Sequence, residues 1–165
     1  PPANLVGLDL NELLRELLVL YEASLTPIRA TLTENLPLIK GDPTQLRQII
    51  HNLIRNAQDA TEGRPDLRID VTTRAVNKHV ELVIADTGPG FPTEIMANAF
   101  EPYVTTKPKG TGLGLPIVKK IIEEHGGRIT LSNRAEGGAE IRIVLQPAEA
   151  ANGLNQHDIE KSVGA

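Results

Sequence analysis

The 165-residue chain has no cysteine and no tryptophan, one methionine, and aromatic residues at only 2%. Zero cysteines exclude disulfides, thiol catalysis and cysteine-ligated metal. With so few aromatics, a core must be assembled mainly from Leu, Ile and Val. No apolar stretch approaches the ~20 residues of a membrane-spanning helix, so this fragment is expected to make no membrane contact. A net charge of -4 and the lack of a long basic run remove the electrostatic footprint of a nucleic-acid binder. The four histidines (His51, His79, His125 and His157) show no metal-ligand spacing, and none has a base beside it in sequence. They read as structural or solvated. What is present is a 40% hydrophobic composition and enough length for one domain with a sheet and several helices. The chain opens Pro1-Pro2 and its single Met is Met96, which suggests a piece of a longer protein.

Periodicity predicts an amphipathic helix over 10–25, with Asp9 as N-cap, Glu12 three residues later and leucines at 10, 13, 14, 17 and 18. Residues 30–42 read as extended chain broken at Asn35 and Pro37. A second helix is expected over 42–61, with Asp42 as N-cap, Pro43 at the first helical position and Gln45 completing a capping box. Residues 67–74 and 79–86 alternate around Asn77-Lys78 and predict a hairpin. A long connection over 91–111 has room for a short helix near 93–98. A helix over 114–125 should close at Gly126-Gly127. Strands at 128–133 and 139–146 should be joined by a turn through Gly137-Gly138. From Pro147 the pattern fades into a tail expected to fray.

Three strings carry the chemistry: HNLIRNAQDA (51–60), DTGPGFP (86–92) and GTGLGLP (110–116). Asn52 and Asn56 are four apart on the second helix, with Asp59 close by, so both amides share one face beside the apolar stripe. Alone they would read as solvated helix residues. Beside the other strings they suit a nucleotide-bound magnesium, which takes only one or two protein ligands and can accept a neutral amide oxygen as one of them. Asp86 ends a nearly all-apolar strand and needs a donor. The exocyclic amine of adenine is one, whereas guanine offers a carbonyl oxygen that would repel the carboxylate. Gly88 and Gly90 permit a tight turn and close approach of a flat base. The string Gly110, Thr111, Gly112, Leu113, Gly114, Leu115 leaves backbone N–H groups free to cradle phosphate at a helix start. It matches neither the dinucleotide fingerprint nor the Walker A loop. Between these lies FEPYVTTKPKG (100–110), whose Thr105, Thr106 and Lys107 either close over a triphosphate or form a solvated lid with incidental lysines. Lys107 is the better candidate for offsetting phosphate charge.

Together the strings resemble the N box, the glycine boxes and the F box of the catalytic, ATP-binding domain of sensor histidine kinases. The wider group is the GHKL superfamily. The stretch from Phe100 to Gly127 looks most like nitrogen-regulation kinases of the NtrY and NtrB type. The resemblance implies an α/β two-layer sandwich of the Bergerat type: a mixed, mostly antiparallel sheet against about three helices, with a mobile lid over ATP. Carried over by position, Asn56 would ligate magnesium, Asn52 would help at the phosphates, Asp86 would bind adenine, Gly88 and Gly90 would shape the base pocket, and Gly112 and Gly114 would contact phosphates. Many relatives place a basic residue and then an aromatic one where this chain has Asp59 and Ala60. Phosphate charge then falls to Lys107, and the base rests on aliphatic side chains.

The phosphoacceptor motif of such kinases is missing, because His51 is followed by Asn52-Leu53. The resemblance therefore implies a division of labour. Residues 1–9 would be a linker, 10–146 the ATP-binding domain and 147–165 a tail. The acceptor histidine would sit on a separate dimerisation domain of the same parent, with a response regulator downstream. The parent would be a bacterial inner-membrane sensor with this domain in the cytoplasm. An anti-sigma-factor-type serine kinase and a non-catalytic nucleotide-sensing module are the alternatives.

Overall fold

A computed structural model of the protein describes residues 2–101 and 114–148. In chain order the elements are β1 (Val6–Leu8), α1 (Leu10–Val19), β2 (Ile28–Leu32), β3 (Ile39–Gly41) and α2 (Pro43–Thr61). They continue with β4 (Ile69–Val76), β5 (His79–Asp86), α3 (Thr93–Asn98), α4 (Gly114–Glu124), β6 (Arg128–Asn133) and β7 (Ala139–Leu145). Five strands form the main sheet in the order β2-β4-β5-β7-β6, and β1 pairs with β3 in a second, two-stranded one. Only β2 and β4 run parallel; the other pairs of the main sheet are antiparallel. Among the described residues no helix is long and apolar enough to cross a membrane.

Pleating sorts the sheet into two chemistries. Val71 of β4, Val80, Leu82 and Ile84 of β5, and Ile141, Ile143 and Leu145 of β7 are buried in one core cluster with residues of α1, α2 and α4. From the helices come Leu10, Leu14 and Leu17, then Leu46, Ile50, Leu53 and Ile54, then Val118 and Ile122. The alternate sheet residues face away and include most of the sheet's charged side chains. There Glu81 lies between Arg74 (2.9 Å) and Arg142 (2.6 Å), and Asp70 between Arg29, Arg68 and Arg134. This is the expected two-layer sandwich of a mixed sheet and three packed helices; α3 buries none of its residues.

The local signals held with instructive exceptions. Asp9 caps α1 by accepting the Glu12 N–H, but the helix stops at Val19, short of the expected 25. Past Leu18 the two aliphatic side chains turn outward: Val19 is 59% and Leu20 69% exposed. The N–H groups of Leu20, Tyr21 and Glu22 tighten onto carbonyls three residues back, as a final 3₁₀-like turn does. The extended stretch over 30–42 divides into β2 and β3 around Asn35, whose φ is +58°. The hairpin of β4 and β5 turns at Asn77 and Lys78, both at positive φ, which matches the right-handed twist of the strands.

At the start of α2, Asp42 accepts from the N–H groups of Thr44 (2.9 Å) and Gln45 (3.1 Å). The expected reciprocal half of the capping box is replaced. The Asp42 N–H donates to Nε2 of His125 at 3.0 Å, and Gln45 Oε1 is buried without a partner among the described residues. The other ring nitrogen, Nδ1, donates to the Ile121 carbonyl at 2.8 Å. One buried imidazole thus ties the start of α2 to the end of α4, a role no spacing rule could assign. The second carboxylate oxygen of Asp42 accepts the Asn4 N–H at 2.9 Å. These donors, Asn4 foremost, hold the Asp42 carboxyl below the usual range. β1 joins the expected linker to β3. Pro147 also bridges to Ile39, and the Ala148 N–H reaches the Leu38 carbonyl at 2.9 Å.

Candidate functional site

The site forms where the C-terminal end of β5 meets α2 and the first turn of α4. Asp86 is the last residue of β5 and is 4% exposed. It sits on the core face of the sheet, in register with Ile69. Its Oδ1 accepts from the N–H of Gly88 at 2.8 Å and of Ala139 at 3.3 Å. Among the described residues Oδ2 takes no bond, which leaves an acceptor for a donor arriving from outside. Burial pushes the carboxyl above the usual carboxylate range, opposed by the two N–H groups and by Arg134.

The glycines around Asp86 are there for space. A Cβ on Gly88 would lie 2.9 Å from the Ala60 carbonyl and 3.1 Å from Asp86 Oδ1. That places the last turn of α2 against the loop after β5. Gly90 has φ +83°, and a Cβ there would stand 2.9 Å from Asn133 Oδ1. Ala60 therefore adjoins the base loop with only a methyl to offer, as its sequence position implied.

On α2, Asn52 and Asn56 are half-buried and Asp59 is exposed. Asn52 and α4 come together: Asn52 Nδ2 is 4.0 Å from the position a Cβ on Gly114 would take. The first asparagine therefore faces the start of the helix that the glycine string precedes. Asn56 lies one turn further toward the Asp86 loop. A neutral, half-buried amide oxygen suits a hard cation that keeps most of its shell from phosphate and water. Among the described residues there is no group of three or more His, Asp or Glu fit to hold a metal by itself. Leu115 packs its side chain against the core cluster. Thr105, Thr106, Lys107, Gly110, Thr111, Gly112 and Leu113 lie outside the described residues. His51 turns its Nδ1 to the Tyr21 hydroxyl, with ring centroids 5.6 Å apart, on the flank of α2 that the helical spacing gave it.

Sequence reasoning missed the β6–β7 turn as part of the site. Asn133, Arg134, Gly138 and Ala139 all grip the loop after β5. The Ala139 N–H reaches Asp86, and Arg134 donates to the Asp86 carbonyl at 3.4 Å. Asn133 bonds both backbone groups of Phe91. A Cβ on Gly138 would lie 1.9 Å from the Asp86 carbonyl oxygen. The available signal was the Gly137-Gly138 pair, which reads as an ordinary turn unless one knows what lies across it.

The chain is similar in sequence and fold to known proteins. Residues 41–149 match the family described as histidine kinase-, DNA gyrase B-, and HSP90-like ATPase. An NtrY-like sensor histidine kinase of Rickettsia felis is 46% identical over 102 residues, 62% of this chain and 17% of its own length. The nitrogen regulation protein NtrY of Azorhizobium caulinodans is 45% identical over 111 residues, 64% of this chain and 14% of its own. The chain thus spans under a fifth of either relative. Among solved structures, the catalytic domain of the histidine kinase ThkA aligns with a TM-score of 0.76 at 34% identity, covering 87% of this chain and 96% of that one. Full-length ShkA in complex with AMPPNP aligns at 0.78 and 31% identity, covering 90% and 32%. Family match, sequence identity and fold agree: the chain belongs to the histidine kinase-, DNA gyrase B- and HSP90-like ATPase family, as an ATP-binding domain of the sensor histidine kinase kind.

Proposed function

We propose that this domain binds magnesium–ATP and delivers the γ-phosphoryl group to a histidine on a separate domain of a longer sensor protein. The observation that carries the reading is Asp86: a carboxylate 4% exposed, with Oδ1 committed to two backbone donors and Oδ2 available to the amine of adenine. With the base held there, the phosphates extend along α2 toward Asn52, Asn56 and the first turn of α4. That turn supplies backbone N–H groups and a favourable dipole. Asn56 would hold the magnesium and Asn52 would steady the phosphates beside it. Lys107, with Thr105 and Thr106, would offset the triphosphate charge. Gly110, Thr111, Gly112 and Leu113 would complete the phosphate cradle, with Asp59 at its rim.

Catalysis in such a site is positioning and charge neutralisation. The bond between the γ-phosphorus and the β,γ-bridging oxygen breaks, a bond to an imidazole nitrogen forms, and ADP leaves. No histidine of the described site is placed to accept. His125 has both ring nitrogens committed, and His51 is engaged by Tyr21. In this reading the acceptor comes from a dimerisation domain of the parent, and a response regulator receives the group next. ThkA has been seen in complex with the response regulator TrrA, and that structure aligns with this chain at a TM-score of 0.76 and 30% identity. Such a parent would be a bacterial inner-membrane sensor holding this domain in the cytoplasm.

Labelled ATP tests the division of labour. The isolated chain should bind ATP and remain unlabelled, and adding the parent's dimerisation helices should yield acid-labile phosphohistidine on those helices alone. Stable label on this chain would overturn the proposal. Acid-stable label on a partner serine would favour an anti-sigma-type kinase.

A further inference from the structure

The loop from Asp86 to Phe91 is held at both ends by one hairpin. At its start, the Ala139 N–H reaches Asp86 Oδ1. At its finish, Phe91 N–H donates to Asn133 Oδ1 at 2.7 Å, and Asn133 Nδ2 donates to the Phe91 carbonyl at 2.9 Å. Asn133 and Ala139 are themselves paired across β6 and β7, so the two anchors are one rung of the sheet. Only one orientation of the Asn133 amide satisfies both Phe91 groups, since the reverse sets NH₂ against N–H. Gly90 makes the approach possible, because a Cβ there would collide with Asn133 Oδ1. Yet Asn133 is exposed and contributes nothing to the apolar core. A side chain that mimics a strand partner, far from the core, is placed to hold a backbone in position.

From this reciprocal pair we infer that Asn133 is a positioning residue for nucleotide selection. By fixing Phe91 it sets where Gly88 and Gly90 lie relative to Asp86 and so fixes the width of the slot for the base. The inference rests on the adenine reading of Asp86. A loop already in place has no ordering cost on binding, and it cannot shift to accommodate a base whose edge opposes the carboxylate. Asn133 touches no substrate and acts through Phe91 alone.

The test compares the chain with its Asn133→Ala and Asn133→Asp variants for ADP and GDP affinity by calorimetry. Amide exchange at Phe91 and the melting temperature are followed alongside. Losing both bonds should weaken ADP roughly tenfold, the scale of one to two hydrogen bonds, and shrink the preference for ADP over GDP by a similar factor. The Phe91 amide should exchange faster, while melting moves little. Asn133→Asp keeps the acceptor for the Phe91 N–H and sets a carboxylate against its carbonyl, so it should fall between. Unchanged ADP affinity in Asn133→Ala overturns the inference, as does an equal loss for ADP and GDP, which would mark general weakening. An unaltered chain that binds ADP no better than GDP would overturn the adenine assignment itself, and this inference with it.

Discussion

The two ends of the candidate nucleotide site are built on different principles. The end proposed for adenine is made of sheet: Asp86 closes β5, and the β6–β7 turn reaches over to its carboxylate, its carbonyl and Phe91. Nearly every atom there is fixed by backbone geometry, and the tolerances are tight enough that glycine is required. The phosphate end is made of helix: Asn52 and Asn56 project from α2 beside the start of α4, and the spacing of those helices depends on how they are tied. A backbone-built pocket selects by shape. A helix-borne one selects by charge, and its parts can be replaced one side chain at a time.

That contrast can be broken most severely at Gly138. With φ +105° and a Cβ position 1.9 Å from the Asp86 carbonyl oxygen, Gly138→Ala should cost more than about 3 kcal/mol of stability and abolish nucleotide binding. Gly137→Ala is the control. Its φ is +106°, but nothing lies within 4 Å of its Cβ, so only backbone strain on the order of 1–3 kcal/mol remains. Melting curves of the two variants would separate steric from conformational cost. At the other end, Asn56→Ala should remove about 2 kcal/mol of magnesium–ATP affinity while changing thermal stability by well under 1 kcal/mol. Calorimetry with and without magnesium should show the difference only when the cation is present; equal affinity in both proteins would remove Asn56 from the metal.

His125→Phe tests the tie between the helices. It leaves the Asp42 N–H without its acceptor and should cost about 1–2 kcal/mol of stability, with ATP affinity falling while the exchange rate of the Phe91 amide stays the same. The smallest effect is in pH. Asp86 has a raised pKa in the fold because of burial, so its protonation favours the native state. As pH falls through that raised value, this group adds stability, and the gain is complete below the ordinary carboxylate pKa. Adenine binding needs the ionised carboxylate, so nucleotide affinity should fall over the same interval. Parallel titrations of melting temperature and ADP affinity should move in opposite directions, and Asp86→Asn should remove both dependences.

Much of the helix that carries Asn52 and Asn56 was legible in the chain because helix physics is local. Caps, the i to i+4 spacing of Asn52 and Asn56 and the apolar stripe of α2 lie within a few residues of one another. The surroundings of Asp86 were half legible. Asp86 and its glycines announce themselves, but their supports lie 42 to 53 residues further on, and only sheet register brings them together. The same limit explains His125 and Gln45. The sequence contains an ideal local partner for the Asp42 N–H, yet the buried imidazole 83 residues away takes the bond. The length of α1 was overestimated because its leucines continue after the core they face has ended. The parallel pairing of β2 with β4 has no local signature at all.

The small sheet has a mechanical consequence. β3 is flanked on one side by β1 and on the other by residues 146–148, through Lys40 N–H to the Gln146 carbonyl and Ala148 N–H to the Leu38 carbonyl. The segments by which the chain arrives at and leaves the domain are therefore stitched to one strand. A pull applied between them loads those few hydrogen bonds first, and the tension passes through β3 without crossing β5 or the loop at Asp86. The loop at Asp86 thus lies off the path that such a load would take.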